Sequence, residues 1–133
     1  LSYQAALTAA MEAMDTVERH EDIMRLALSV VTVDQARFVV NSLRMLQRYH
    51  ETVQPLKEFG VQGTVFAATK NDTLVVAAPV DYVSWTEMLD RFSANDRFSS
   101  KPRELHIAGM MSETAADIVR QRGWVIHQDS NLF

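Results

Sequence analysis

Along residues 3–28, apolar side chains recur at alternating four- and three-residue steps through Tyr3, Leu7, Ala10, Met14, Val17, Met24 and Leu28, with Glu21 the one interruption. This spacing marks one face of a helix, and no glycine or proline breaks it, so it predicts a rod of about 26 residues, ~39 Å at 1.5 Å per residue. The β-branched stretch Ser29-Val30-Val31-Thr32 disfavours helix, and Thr32 with Gln35 forms a capping box that starts a second helix near Val33. Ala36, Val39, Val40, Leu43 and Leu46 share its apolar face, and Pro55 stops it by about Gln54. Residues 1–54 are therefore expected to fold as a helical hairpin, one continuous rod being the competing arrangement.

From Gly60 onward the period shifts towards that of strands. Two apolar runs, 64–69 and 73–78, flank the turn Lys70-Asn71-Asp72 and predict a β-hairpin ended by Pro79. Ser84 with Glu87 forms a second capping box, opening a helix whose apolar face is Trp85, Met88, Leu89 and Phe92. A polar, turn-rich stretch over 93–103 leads to a strand over 104–108. Ser112 then caps a helix through Ala115, Ala116 and Val119, and Gly123 supplies its left-handed stop before a last strand over 124–127.

The expected fold is thus α/β in the broad sense (α+β): an N-terminal helical hairpin and then a mixed four-stranded sheet, in the order α-α-β-β-α-β-α-β. Strands joined through helices are expected to be parallel neighbours, and the hairpin partner antiparallel. Residues 1–133 form one expected domain, 1–54 its helical part and 60–128 its sheet unit.

Composition narrows the function classes. At 133 residues the chain can hide about two-thirds of its unfolded surface, enough for one core and too little for two. The absence of cysteine excludes disulfides, thiol nucleophiles and cysteine-based zinc or iron–sulfur sites. Thirteen basic residues against seventeen acidic ones give a net charge of −4, with the basic residues scattered, so no nucleic acid is expected as partner. No apolar run approaches the ~20 residues of a membrane span, so direct membrane insertion is not expected. The sequence starts with Leu1 rather than Met, and a fragment of a longer chain is expected, with any anchor or targeting segment lost from it.

In an open sheet, ligands bind beyond the carboxyl ends of parallel strands. Asp81, Glu113 and Asp129 fall at that edge and would suit a magnesium ion and phosphoryl-transfer or nuclease-like chemistry, although their spacing is not diagnostic. Asp81, Tyr82, Trp85 and the Ser112 helix start form a candidate small-ligand corner. The bland readings weigh more: Ser112 as a plain cap, Trp85 as a packing residue, Glu113 as an acid in a helix's first turn. The four histidines, His20, His50, His106 and His127, show no close ligand pair, His106 being expected as a packed strand residue and His127 at the strand-end edge. No glycine-flanked elbow frames Ser84 or Ser112 as a nucleophile. Neither a metal nor a cofactor is called for by these spacings.

The length of the first helix carries most weight. A rod overshooting strands of ~17–20 Å leaves apolar positions uncovered, and a monomer seldom tolerates a large apolar patch. Leu7, Met14, Val17, Met24 and Leu28 are therefore the expected contact stripe. The expected function is a non-catalytic binding or assembly module, engaging a second copy or other parts of a larger parent protein, with the magnesium-dependent enzyme as the alternative.

Overall fold

The computed structural model describes residues 2–132. Its N-terminal part has three helices, α1 (Tyr3–Ala13), α2 (His20–Leu28) and α3 (Val33–Thr52). The strands β1 (Leu56–Val61), β2 (Val65–Thr69), β3 (Leu74–Ala78) and β4 (Tyr82–Val83) follow. The chain then runs through α4 (Glu87–Ser93), β5 (Arg103–Ile107), β6 (Met110–Met111), α5 (Glu113–Gln121) and β7 (Trp124–His127). The main sheet has five strands in the order β1-β2-β3-β5-β7, the pairs β1/β2 and β2/β3 being antiparallel and the pairs β3/β5 and β5/β7 parallel. The α+β class, with helices preceding a mixed sheet, is as expected.

The expected rod is two helices instead. After Met14 the chain turns, Arg19 takes a left-handed conformation (φ 69°), and Glu18 forms a parallel bridge with Glu58. Two backbone bonds make that bridge: Glu18 N–H donates to Lys57 O (2.8 Å) and Phe59 N–H to Glu18 O (2.9 Å). With the break in place Met14 and Val17 are both buried in the core that includes the sheet, and the Glu18 bridge occupies part of the open edge of β1. The imidazole of His20 lies 2.9 Å from Met14 O, which also accepts from Val17 N–H (3.0 Å), and tilts over Phe59. Three helices thus replace the expected two-helix hairpin, with α1 against α3 and α2 against β1.

The helix starts at Thr32 and Ser112 follow the expected chemistry. Thr32 accepts from Gln35 N–H while Gln35 Oε1 accepts from Thr32 N–H, and Ser112 Oγ accepts from Ala115 N–H. The box expected at Ser84 does not form. The chain stays extended through β4, and Thr86 caps α4, accepting from Leu89 N–H.

The fifth strand, β1, escaped the sequence pattern. Its register slips between Leu56 and Glu58, so Leu56 and Phe59, three apart, both turn inward and the period of two is lost.

The sheet divides the buried interior into two clusters, one on each face, where a single core was expected. Val65, Ala67, Val75 and Ala77 face α3, where Leu43, Met45, Leu46 and Tyr49 pack on them, and the Ser42 hydroxyl donates to Ala77 O (3.3 Å). Phe66, Ala68, Leu74, Val76, Leu105 and Ile107 face the other way, towards α4, α5 and an aromatic group of Phe92, Phe98 and Trp124. Phe98, in the stretch expected as a surface loop, is fully buried. Gly60 leaves room for the Phe66 ring, since a Cβ there would lie 2.3 Å from it.

Candidate functional site

The strand-end edge, the first place to seek a ligand, is largely closed by its own backbone. Tyr82 and Val83 pair in parallel with Met110 and Met111, making a second small sheet beyond the ends of β3 and β5. Gly109 N–H donates to Val80 O, Met110 N–H to Asp81 O and Ser112 N–H to Val83 O, each at 2.9 Å. Asp129 N–H donates to Gly109 O (2.7 Å), and the side chain of Gln128 accepts from Met111 N–H (2.7 Å). The backbones approach so closely that a Cβ on Gly109 would fall 1.8 Å from Asp81 O.

This closure accounts for much of the candidate corner. The Ser112 hydroxyl is engaged as a helix cap, and Trp85 lies partly buried with the Arg122 guanidinium 5.3 Å over its ring. Tyr82 remains exposed beside its register partner Met110, also exposed. Asp81, Glu113 and Asp129 do not bring three carboxylate oxygens together. Among the described residues, the one group of three histidine or acidic side chains with mutually close ligand atoms lies elsewhere.

That group is Glu104, His106 and His127, whose ligand atoms all fall within 4.8 Å of one another. Glu104 and His106 are two apart on β5 and so share a face, and the parallel register sets His127 of β7 opposite His106. The imidazoles stack with centroids 4.3 Å apart and planes 6° from parallel. His106 Nε2–H donates to Glu104 Oε1 (2.8 Å), and His127 Nε2 lies 4.0 Å from the same oxygen. Tyr49, from α3, meets the His106 ring edge-on at 5.4 Å and directs its hydroxyl at Glu104 Oε1 (3.4 Å), while accepting from Gln54 Nε2 (3.0 Å).

The electrostatics follow from position. Burial pushes the His106 pKa below its ordinary value, with nearby His127 acting the same way and the Glu104 carboxylate opposing both. Burial therefore favours the neutral imidazole of His106 over its charged form. Burial likewise raises the Tyr49 phenol, so it remains a donor. His127 is the half-exposed member, and Val125 beside it on the same face of β7 is exposed, so the group opens to water on one side. The residues could hold a small cation or shuttle a proton between the two rings.

The sequence pattern presents His106 as a packed strand residue and puts His127 at the strand-end edge, with neither among the expected site residues. The available signal was Glu104-x-His106, a strand spacing that places both side chains on one face. Pairing His127 with them required the order and register of β5 and β7.

The expected contact stripe divides. Leu7, Met14 and Val17 are buried within the chain's own core, whereas Met24 is 47% exposed and Leu28 88%. Val31 (84%), Val33 and Phe38 are also exposed, so the apolar surface gathers at the α2–α3 corner. Beside it runs a groove of about 240 Å³ lined by Leu26, Val30, Phe38, Val39 and Val65, among others. Among the described residues, no helix is long and apolar enough to cross a membrane. No family model matches the chain, and neither a curated protein nor a solved structure matches it.

Proposed function

We propose that this protein is a non-catalytic assembly module that pairs with a second copy of itself through the corner between α2 and α3. The carrying observation is the run of exposed apolar side chains Met24, Leu28, Val31, Val33 and Phe38. Leaving such residues in water forfeits roughly 25 cal/mol for each Å² that a partner would cover, and isolated monomers rarely carry a contiguous patch of this kind.

Charge favours a like partner. Two ion pairs, Asp22 with Arg25 (3.2 Å) and Asp34 with Arg37 (3.6 Å), flank the patch beside the acid Glu21, so charge of both signs lies at its border. A two-fold contact sets each patch against its own copy, and a border of both signs lets acid meet base across the axis.

Light scattering over a concentration series tests the reading. The parent chain should approach twice its monomer mass, and a Leu28→Glu/Val31→Glu variant should stay monomeric with unchanged circular dichroism. A parent mass that remains monomeric at every concentration would reject self-association.

A further inference from the structure

We propose that Glu104, His106 and His127 form a binding site for a divalent transition-metal ion of the zinc class. The site stands apart from the assembly surface: the cluster sits near Tyr49, late in α3, and the apolar corner at that helix's start.

Three observations carry the proposal. The first is the donor set. Two imidazoles and one carboxylate suit zinc and its neighbours, whereas magnesium prefers an octahedron of oxygens. Three protein ligands also leave a coordination position open.

The second is distance. Ligand atoms each ~2.0–2.2 Å from a tetrahedral ion lie about 3.3 Å from one another. Glu104 Oε1 stands 2.8 Å from His106 Nε2 and 4.0 Å from His127 Nε2, on either side of that value. Stacked rings cannot aim both lone pairs at one ion, so loading requires half-exposed His127 to turn out of the stack, which also opens a path from solvent, and His106 Nε2 to give up the proton it shares with Glu104.

The third is support. Two ligands stand on β5 and one on β7, neighbouring strands paired in register, so backbone holds the trio together. Behind them the Tyr49 hydroxyl directed at Glu104, held in turn by Gln54, makes the kind of outer partner that orients a metal-binding carboxylate. The other histidines are engaged differently: His20 lies 2.9 Å from Met14 O, and His50 Nδ1 accepts from Leu56 N–H (2.9 Å).

Zinc titrated into the full chain, in competition with a chromophoric chelator, should bind one ion per chain and raise the unfolding temperature, because the ion binds the folded state alone. Cobalt in its place should give the visible absorption of a tetrahedral site. His127→Ala changes a half-exposed side chain and Glu104→Gln keeps its shape, so both variants should fold, which circular dichroism checks. Each should weaken zinc by on the order of 100-fold, at or beyond the loss usual for an outer-shell partner, and abolish the thermal gain. Absence of zinc binding by the parent chain, or variants that bind zinc as tightly as the parent does, would overturn the proposal.

Discussion

The two faces of the sheet are built from the same strands and end differently. On the α4–α5 side, β5 and β7 present Leu105, Ile107, Trp124 and Ile126, and the aromatic group seals them. Arg103 runs along this face over the Trp124 ring (5.8 Å), its guanidinium donating to Lys101 O (2.7 Å) and to Arg122 O. On the α3 side, the intervening positions of the same strands carry Glu104, His106, Val125 and His127. Here α3 lies over β2 and β3, and Tyr49 is its reach towards β5. One face thus closes its far end with apolar contacts, and the other leaves there a polar group open to water. Alternation along a strand makes these choices independent, so one element can serve the core and a site at once.

The largest expected effect comes from breaking the sealed face. Phe98→Ala empties the middle of the aromatic group and should cost about 3–5 kcal/mol in urea unfolding, with little effect on zinc binding. Converting the open face into a likeness of the sealed one is the sharper experiment. Glu104→Leu alone leaves buried His106 without its acceptor and should cost about 1–3 kcal/mol. Joined with His106→Leu, it removes both ends of that bond and leaves only the Tyr49 hydroxyl short of an acceptor, so the double variant should lie closer to the parent than Glu104→Leu alone in the same measurement.

A smaller difference should separate the faces in pH. With metal chelated away, His106 binds its proton less readily folded than unfolded, held down by burial and by His127 against the pull of Glu104. The unfolded imidazole takes up a proton near pH 6.5, so stability is undiminished above that value and falls as pH drops below it. Unfolding curves between pH 7.5 and 5 on a scale of roughly half-unit steps should show this slope, flattened in the Glu104→Leu/His106→Leu variant. The smallest effect is expected at the exposed corner. Leu28→Lys should alter the stability of the isolated chain by no more than about 0.5 kcal/mol while disrupting association, as scattering and unfolding measured together would show.

Much of this fold was legible in the residue pattern because its signals are local. The capping boxes at Thr32 and caps such as Ser112 need a few consecutive residues, Gly123 needs only a positive φ (92°), and β2, β3, β5 and β7 announce themselves as short apolar runs between turns. Local signals mislead where a distant strand competes. The seam through Met14 and Val17 has a perfect helical period, yet pairing of Glu18 with β1 bends the chain away from it. The bulge in β1 erased the alternation that would have revealed it.

The candidate sites divide along the same line. Sequence alone placed Asp81, Tyr82 and Ser112 at a strand-end edge, but the β4–β6 pairing that fills this edge depends on backbone hydrogen bonds between segments nearly thirty residues apart. Composition and periodicity determined the class of fold, the ends of most elements and the exclusion of cysteine chemistry, since each follows from neighbours along the chain. Tertiary structure decided which apolar residues stay exposed and which imidazole meets which carboxylate. Those outcomes turn on strand order and register, set by the packing of the whole molecule.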